Sequence, residues 1–238
     1  MSVEYDQYLS KYYGHVSTSA ALKWNAVAAL DHHGSHFPGD KNAAILEIGP
    51  GFGTMVHFLH HHCGYQNVRA IDVSPEAVDA CNRIMPGSTE FTPDTCRYLA
   101  EHKGAFDLIL MLHVLEHVPK VEALPLVKAI HGALRVGGKF IVEVPNAAHP
   151  IAGAKNRYGD FTHTVGFTDQ SLAFVLRTSG FADVVVYGCK IPRKSLARFI
   201  QRSAQDGVEL LLSLLLRLYM PSQPIVLASV LGACATKG

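Results

Sequence analysis

From about residue 43 onward, strand-like runs alternate with helix-like ones, and few folds accommodate that alternation. Strands joined through helices lie parallel, so the sheet they build must be covered by helices on both faces. The runs Ala43–Ile48, Val68–Asp72, Thr89–Phe91, Phe106–Met111 and Lys139–Val144 read as strands one to five, Phe181–Tyr187 as a sixth and Pro224–Ala235 as a seventh. Helical signals fall between them. Ser74-Pro75 offers an N-cap followed by a first-turn proline, Thr54 to about His62 and Ser171–Gly180 read as helices, and Gly137-Gly138 reads as the stop of a helix running through Leu134. With 238 residues, 48% hydrophobic and only 17% charged, the chain can bury one large core, which excludes intrinsic disorder.

Residues 1–42 read as an N-terminal helical cap, with Tyr5, Tyr8, Tyr12 and Tyr13 near its start and Trp24, Val27 and Leu30 at helical spacing. Residues 43–238 form the main domain, which carries a helical insertion at about 190–222. Lysine and arginine number 21 against 20 acids, a net charge of +1, so no strong field is present to hold a nucleic-acid backbone. The cysteines, at 63, 81, 96, 189 and 234, are odd in number and scattered, which fits neither a zinc knuckle nor a disulfide framework. The opening residues Met1 to Asp6 lack the basic-then-apolar pattern of a signal peptide, so the expected compartment is a reducing cytoplasm.

The first strand runs into Glu47-Ile48-Gly49-Pro50-Gly51-Phe52-Gly53, and a helix follows at once. Glycines at a strand's carboxyl end let the backbone approach a ligand, while the helix N-terminus presents unpaired N–H groups. A dinucleotide fingerprint would need glycine at 54 or 56, where Thr54 and Val56 stand, so a nicotinamide oxidoreductase is disfavoured. Asp72 closes the second strand, where an acid can accept hydrogen bonds from ribose hydroxyls, and Asp94-Thr95 follows the third. Three acids, Glu47, Asp72 and Asp94, suit a positively charged ligand without phosphates.

This ordered set resembles the class I S-adenosylmethionine-dependent methyltransferases over residues 40 to 190, through the glycine-rich turn, Asp72, Asp94, Phe106-Asp107-Leu-Ile-Leu110, His113-Val-Leu-Glu116-His117-Val-Pro119 and Leu134-Arg-Val-Gly-Gly-Lys-Phe140. The resemblance implies a Rossmann-like seven-stranded sheet of order 3-2-1-4-5-7-6 with strand seven antiparallel. It also implies S-adenosylmethionine as cofactor, held by Glu47, Gly49, Gly51, Gly53, Val73 and Leu112, with Asp72 at the ribose and Asp94 and Thr95 at the adenine. Asp107 reads as a loop-fixing acid. A protein that binds the cofactor without catalysis is the alternative from another class.

A hydroxyl acceptor calls for a base with a pKa near neutrality. His163, three residues after Asp160, is the leading candidate, oriented by that acid, with His117 beside it. Tyr12, Tyr13, His113, Asn146 and Tyr158 are the candidate substrate contacts. The stretch from Val144 to Thr168 is similar to methyltransferases of bacterial surface-polysaccharide synthesis, which implies a sugar hydroxyl of a glycan or its activated precursor. The alternative acceptor is a small phenol or quinone, with a metal at His113, Glu116 and His117, whose i, i+3, i+4 spacing would share a helix face. The crowded His57, His60, His61 and His62, like His32, His33 and His36, read as ordinary surface or packing residues.

From Lys190 to Met220 the chain is first basic and then leucine-rich, with leucines on nearly every face of any helix formed there. That segment must meet its own domain, a second subunit, or the inner face of a membrane.

Overall fold

A computed structural model describes residues 9–10, 19–220 and 226–238 of the chain. Seven strands form one sheet: β1 (Ala44–Ile48), β2 (Asn67–Asp72), β3 (Thr89–Phe91), β4 (Phe106–Leu112), β5 (Leu134–Pro145), β6 (Val185–Cys189) and β7 (Val230–Thr236). Their order is β3-β2-β1-β4-β5-β7-β6, with β1 to β5 parallel and β7 antiparallel to both β5 and β6. Eight helices flank the sheet among the described residues: α1 (Ser19–His33), α2 (Thr54–His61), α3 (Pro75–Ile84), α4 (Thr95–Glu101), α5 (Lys120–Ala133), α6 (Gly153–Tyr158), α7 (Asp169–Thr178) and α8 (Leu196–Leu216). The fold class and strand order agree with the sequence reading.

Alternation along the central strands sorts the core into two layers. Leu46, Ile48, Ile109, Met111, Phe140 and Val142 pack toward α4, α5 and α7. Their neighbours Ile45, Leu108, Leu110 and Ile141 pack the other way, against Ala26 and Ala29 of α1 and Met55, Phe58 and Leu59 of α2. The segment read as a cap thus supplies part of a core layer through α1.

Several boundaries move. The glycine pair Gly137-Gly138 does not stop a helix: α5 ends at Ala133, and β5 begins at Leu134. Phe106 pairs with Leu134 but Leu108 with Lys139, so the pair sits in a bulge. A side chain at Gly138 would lie 2.8 Å from the Arg135 carbonyl. β6 starts four residues later than predicted because Phe181 is drawn into the core beside Phe140, and β7 is confined to Val230–Thr236, part of the predicted run lying outside the described residues. Asp107 does fix its surroundings, accepting from the Ala44 N–H at 2.7 Å and from the Arg135 guanidinium at 2.7 and 2.8 Å.

Candidate active site

The carboxyl ends of β1, β2, β4 and β5 open into a cavity of about 840 Å³, walled on one side by α1 and on the other by the start of α5. Glu47, Gly49, Gly51, Asp72, Val73, Asp94, Thr95 and Leu112 all line it. Gly53 does not. It caps α2 in the left-handed region, φ 73°, and a Cβ there would stand 3.0 Å from the Cys81 backbone, so its lack of a side chain serves the close approach of α2 and α3. Gly49, also left-handed at φ 73°, lies against Val114 with no space for a Cβ.

The acids at this end are tuned by burial. Asp72 is raised to about 6 because desolvation outweighs the N–H groups of Ser74, Val73 and Gly51 that it accepts. Burial raises Glu47 to about 8, helped by the nearby Asp72, and its Oε2 has no hydrogen-bond partner among the described residues. Glu47 lines the cavity with that oxygen buried beneath its wall, and a cationic ligand in the cavity would favour the charged carboxylate. Asp94 has a second task, capping α4 by accepting the Arg97 N–H at 3.0 Å. Above this end, Glu76 accepts the N–H groups of Leu9 and Ser10 at 3.1 Å each, which seats Leu9 on Ala77 and Phe52 at the cavity's edge. The candidate contacts Tyr12 and Tyr13 lie outside the described residues.

The opposite end is assembled from α1, β5 and the turn after β4. His32, His113, His117 and Glu143 reach the cavity there. Glu143 receives His33 Nε2 at 2.7 Å, His113 Nε2 at 3.0 Å and, at longer range, His32 Nδ1 at 3.4 Å. Burial opposes its charge, but those imidazoles hold it well below the usual carboxylate range. His113 carries a left-handed backbone, φ 57°, which turns its ring between Glu143 and Glu116. Burial again works against the charge, yet the two carboxylates win and raise His113 to about 10. His32 and His33, read as bland from the sequence, are therefore parts of this end. Glu143 was missed altogether, although it is the lone acid within an apolar strand, and such an acid needs a buried partner.

The pairing of His163 with Asp160 is corrected by the geometry. His163 Nε2 is 4.0 Å from the carboxylate, too far for a hydrogen bond, while its Nδ1 donates to the Asn156 carbonyl at 2.7 Å. Asp160 instead accepts from Thr162 Oγ1 at 2.6 Å, and that hydroxyl lies 2.8 Å from His117 Nδ1. Because the hydroxyl's one hydrogen points at Asp160, it accepts from His117, which puts the imidazole proton on Nδ1 and the lone pair on Nε2. Burial lowers the His117 pKa and keeps the ring neutral. His163 does not line the cavity; its ring packs edge-on to His117 at 4.7 Å.

Two other candidates are placed elsewhere. Asn146 is buried and spent on the chain itself, donating to the Val226 and Ala228 carbonyls and accepting from Ala148, because the strand exit it occupies is tied to the segment before β7. Tyr158 is exposed at the end of α6, with Arg157 over its ring. The proposed metal triad also regroups. Leu115–His117 form only a short 3-10 turn, so the three do not share a helix face; His113 lies 3.5 Å from Glu116 but turns its other nitrogen to Glu143 at 3.0 Å. Donor atoms of Glu116, His117 and His163 do converge within 4.8 Å, as do those of His32, His33, Glu143 and Cys189.

Residues 26–186 match the family model described as a methyltransferase domain. A search of curated proteins returns no match. Among solved structures, a SAM-dependent methyltransferase of Archaeoglobus fulgidus is 18% identical with a TM-score of 0.68, covering 99% of this chain and 100% of its own. A SAM-dependent methyltransferase of Thermotoga maritima, described as a possible histamine N-methyltransferase, is 14% identical with a TM-score of 0.67 over 99% of this chain and 100% of its own. A phosphoethanolamine N-methyltransferase of Haemonchus contortus in complex with S-adenosyl-L-methionine is 17% identical with a TM-score of 0.61 over 99% of this chain and 60% of its own. These likenesses are of fold, but the family model spans well over half of the sequence and coincides with the strands, turns and acids that build the cavity. The chain belongs to the methyltransferase domain family.

Proposed function

We propose that the protein is an S-adenosylmethionine-dependent O-methyltransferase that acts on a sugar hydroxyl of a glycan or of its activated precursor. The observation that carries this reading is the chain Asp160–Thr162–His117 at the cavity wall, which leaves a neutral imidazole with its basic nitrogen defined. Glu47, Gly49, Gly51 and Asp72 would hold the cofactor, the two acids favouring a positively charged ligand. When bound, the cofactor supplies an electrophilic methyl group on a sulfonium. His117 Nε2 would take the acceptor's hydroxyl proton while the methyl group passes from sulfur to oxygen, the carbon–sulfur bond breaking to leave a neutral thioether. The positive charge that His117 gains is stabilised through Thr162 by Asp160, which makes those two positioning residues. The charged pair of His113 and Glu143, with His32 beside it, offers donors and acceptors to neighbouring hydroxyls of a polar acceptor.

The test is a methyl-transfer assay over nucleotide sugars, lipid-linked sugars and small amines, with products identified by mass spectrometry. O-methylated sugar formed by the wild type, falling about tenfold with Thr162→Val and further with His117→Ala, supports the reading. Methylation of amines alone, indifferent to His117, overturns it.

A second reading rests on the buried Glu116, whose Oε2 has no partner among the described residues and which lies with His117 and His163 in one donor cluster. A divalent cation held there would serve a phenolic or quinone acceptor. Activity unchanged by chelation and by added magnesium removes it.

A further inference from the structure

Helix α8 is built inside out. None of its residues is buried, and Leu196 and Leu210 are 75% and 62% exposed, as is the chain just beyond it, where Leu218 and Tyr219 reach 77% and 84%. The less exposed side of α8 holds Arg202, Asp206 and Glu209, followed by Leu212, Ser213 and Leu216. Arg202, Asp206 and Glu209, one turn apart in sequence, bond to one another or to the segment leaving β6: Arg202 Nη2 meets Asp206 at 2.8 Å, Arg193 meets Asp206 at 2.8 Å, and Lys190 meets Glu209 at 2.6 Å. A water-facing helix would show the reverse arrangement. Exposed leucines at 210, 211, 214 and 215 then form a broad apolar face pointing away from the body of the protein.

Charge identifies what covers that face. Residues 190–220 hold six cations, Lys190, Arg193, Lys194, Arg198, Arg202 and Arg217, and only two acids, both drawn into the ion pairs just named; Lys194 also pairs with Asp31 at 2.9 Å, which still leaves the surface net positive. A second copy of the chain would bring the same excess positive charge against itself, whereas a surface of anionic lipid complements it. No described helix is long and apolar enough to cross a bilayer, so α8 would lie along the surface. Phe199 and Tyr219, both exposed, are suited to the headgroup boundary.

We propose that α8 and the segment leading into it dock the protein on an anionic membrane surface, the apolar face entering the headgroup boundary and the exposed Arg193, Lys194 and Arg217 adding attraction to lipid phosphates. A second depression of about 470 Å³ lies between this surface and α1. Lys190, Arg193, Lys194 and Arg202 line it, and it shares His32 with the large cavity. The docking itself does not depend on the O-methyltransferase reading. If that reading holds, the acceptor is one presented at the membrane, its sugar entering past His32.

The experiment is vesicle flotation of the full-length protein with phosphatidylcholine alone and with added phosphatidylglycerol, for the wild type and for Leu211→Glu/Leu215→Glu. Cofactor binding by titration calorimetry serves as the folding control. Expected is flotation with the anionic vesicles, at least tenfold weaker with phosphatidylcholine alone or in high salt, and lost in the double variant while cofactor affinity is unchanged. Absence of flotation with anionic vesicles overturns the proposal, as does a double variant that floats as well as the wild type. A soluble dimer that the double variant converts to monomer, without flotation by either, assigns the face to a second copy instead. Because flotation needs no acceptor and no turnover, its failure is distinct from failure of the methyl-transfer assay.

Discussion

The two ends of the cavity are built in different ways. The glycine-turn end comes from one strand–turn–helix unit and the tips of its neighbours, with Asp72 and Asp94 accepting from backbone N–H groups two and three residues on, Ser74 at 2.8 Å and Arg97 at 3.0 Å. The opposite end joins α1, the turn after β4, β5 and the loop around Thr162, so that Glu143 meets His33 across 110 residues and His117 meets Thr162 across 45. A local site survives small displacements of the rest of the fold, while a composite one exists only when every element has docked. The difference also separates roles: the first end suits a ligand common to a whole family, the second an acceptor particular to this chain.

The largest effect is expected at the base proposed for the composite end. His117→Ala should lower kcat by about 10²- to 10⁴-fold with little change in cofactor affinity, as measured by steady-state kinetics beside calorimetry. The wild-type rate should fall on the acid side only below about 6.5, because burial lowers the His117 pKa from its ordinary 6.5 and only the neutral ring accepts a proton. A variant that retains full turnover would move the chemistry away from this end.

Asp72→Ala should weaken cofactor binding about 100-fold, the loss of two charge-assisted hydrogen bonds at about 1.5 kcal/mol each, and leave the melting temperature nearly unchanged. If affinity is retained, the family-like end is not where the cofactor's ribose sits. Below pH 8, binding of a cationic cofactor should also release a proton, since Glu47 is held at about 8 by burial and a positive charge favours its ionised form. Calorimetry in buffers of different ionisation enthalpy reads this directly.

Glu143→Gln tests the composite end as structure. Folded Glu143 titrates well below 4.5 and His113 near 10 against an ordinary 6.5, so their pairing contributes fully between about 4.5 and 6.5. That contribution is lost as pH falls through the folded value of Glu143, and lost again as pH rises from 6.5 through about 10. Removing the carboxylate should cost about 2 kcal/mol in that window, less than a wholly buried pair because the His113 side chain is 48% exposed toward the cavity, and should flatten the pH profile of thermal melting.

The smallest effect sharpens the reading of one glycine. Gly53→Ala should destabilise the fold by about 1–2 kcal/mol through its left-handed backbone and the Cys81 contact. Cofactor affinity of the folded fraction should stay within a factor of about three; a much larger loss would return Gly53 to the binding surface.

What could be read in advance follows this division. The alternation of strands and helices, the glycine turn and Asp72 follow short-range rules of periodicity, turn chemistry and the unpaired N–H groups at a helix start, whereas the strand order was legible only through the family resemblance. Those rules also failed locally, as at Gly137-Gly138, where a bulge against Phe106 and a helix stop ask for the same residues. The base could be narrowed to a few histidines, yet the spacing of Asp160 and His163 was misleading, because a loop closes through whichever groups pack together, here Asn156 with His163 and Thr162 with Asp160.

By itself the sequence determined the layered sheet, the cofactor end and the presence of a basic, leucine-rich segment before the last strand. Only the tertiary structure decided that Glu143 collects three histidines, that Thr162 fixes the proton of His117, and that α8 turns Arg202, Asp206 and Glu209 to its less exposed side and Leu210, Leu211, Leu214 and Leu215 outward. The physical reason is range. Backbone propensity and turn geometry are written in neighbouring residues, whereas a buried charge is satisfied by whatever partner the packed fold delivers, and that partner lies far along the chain.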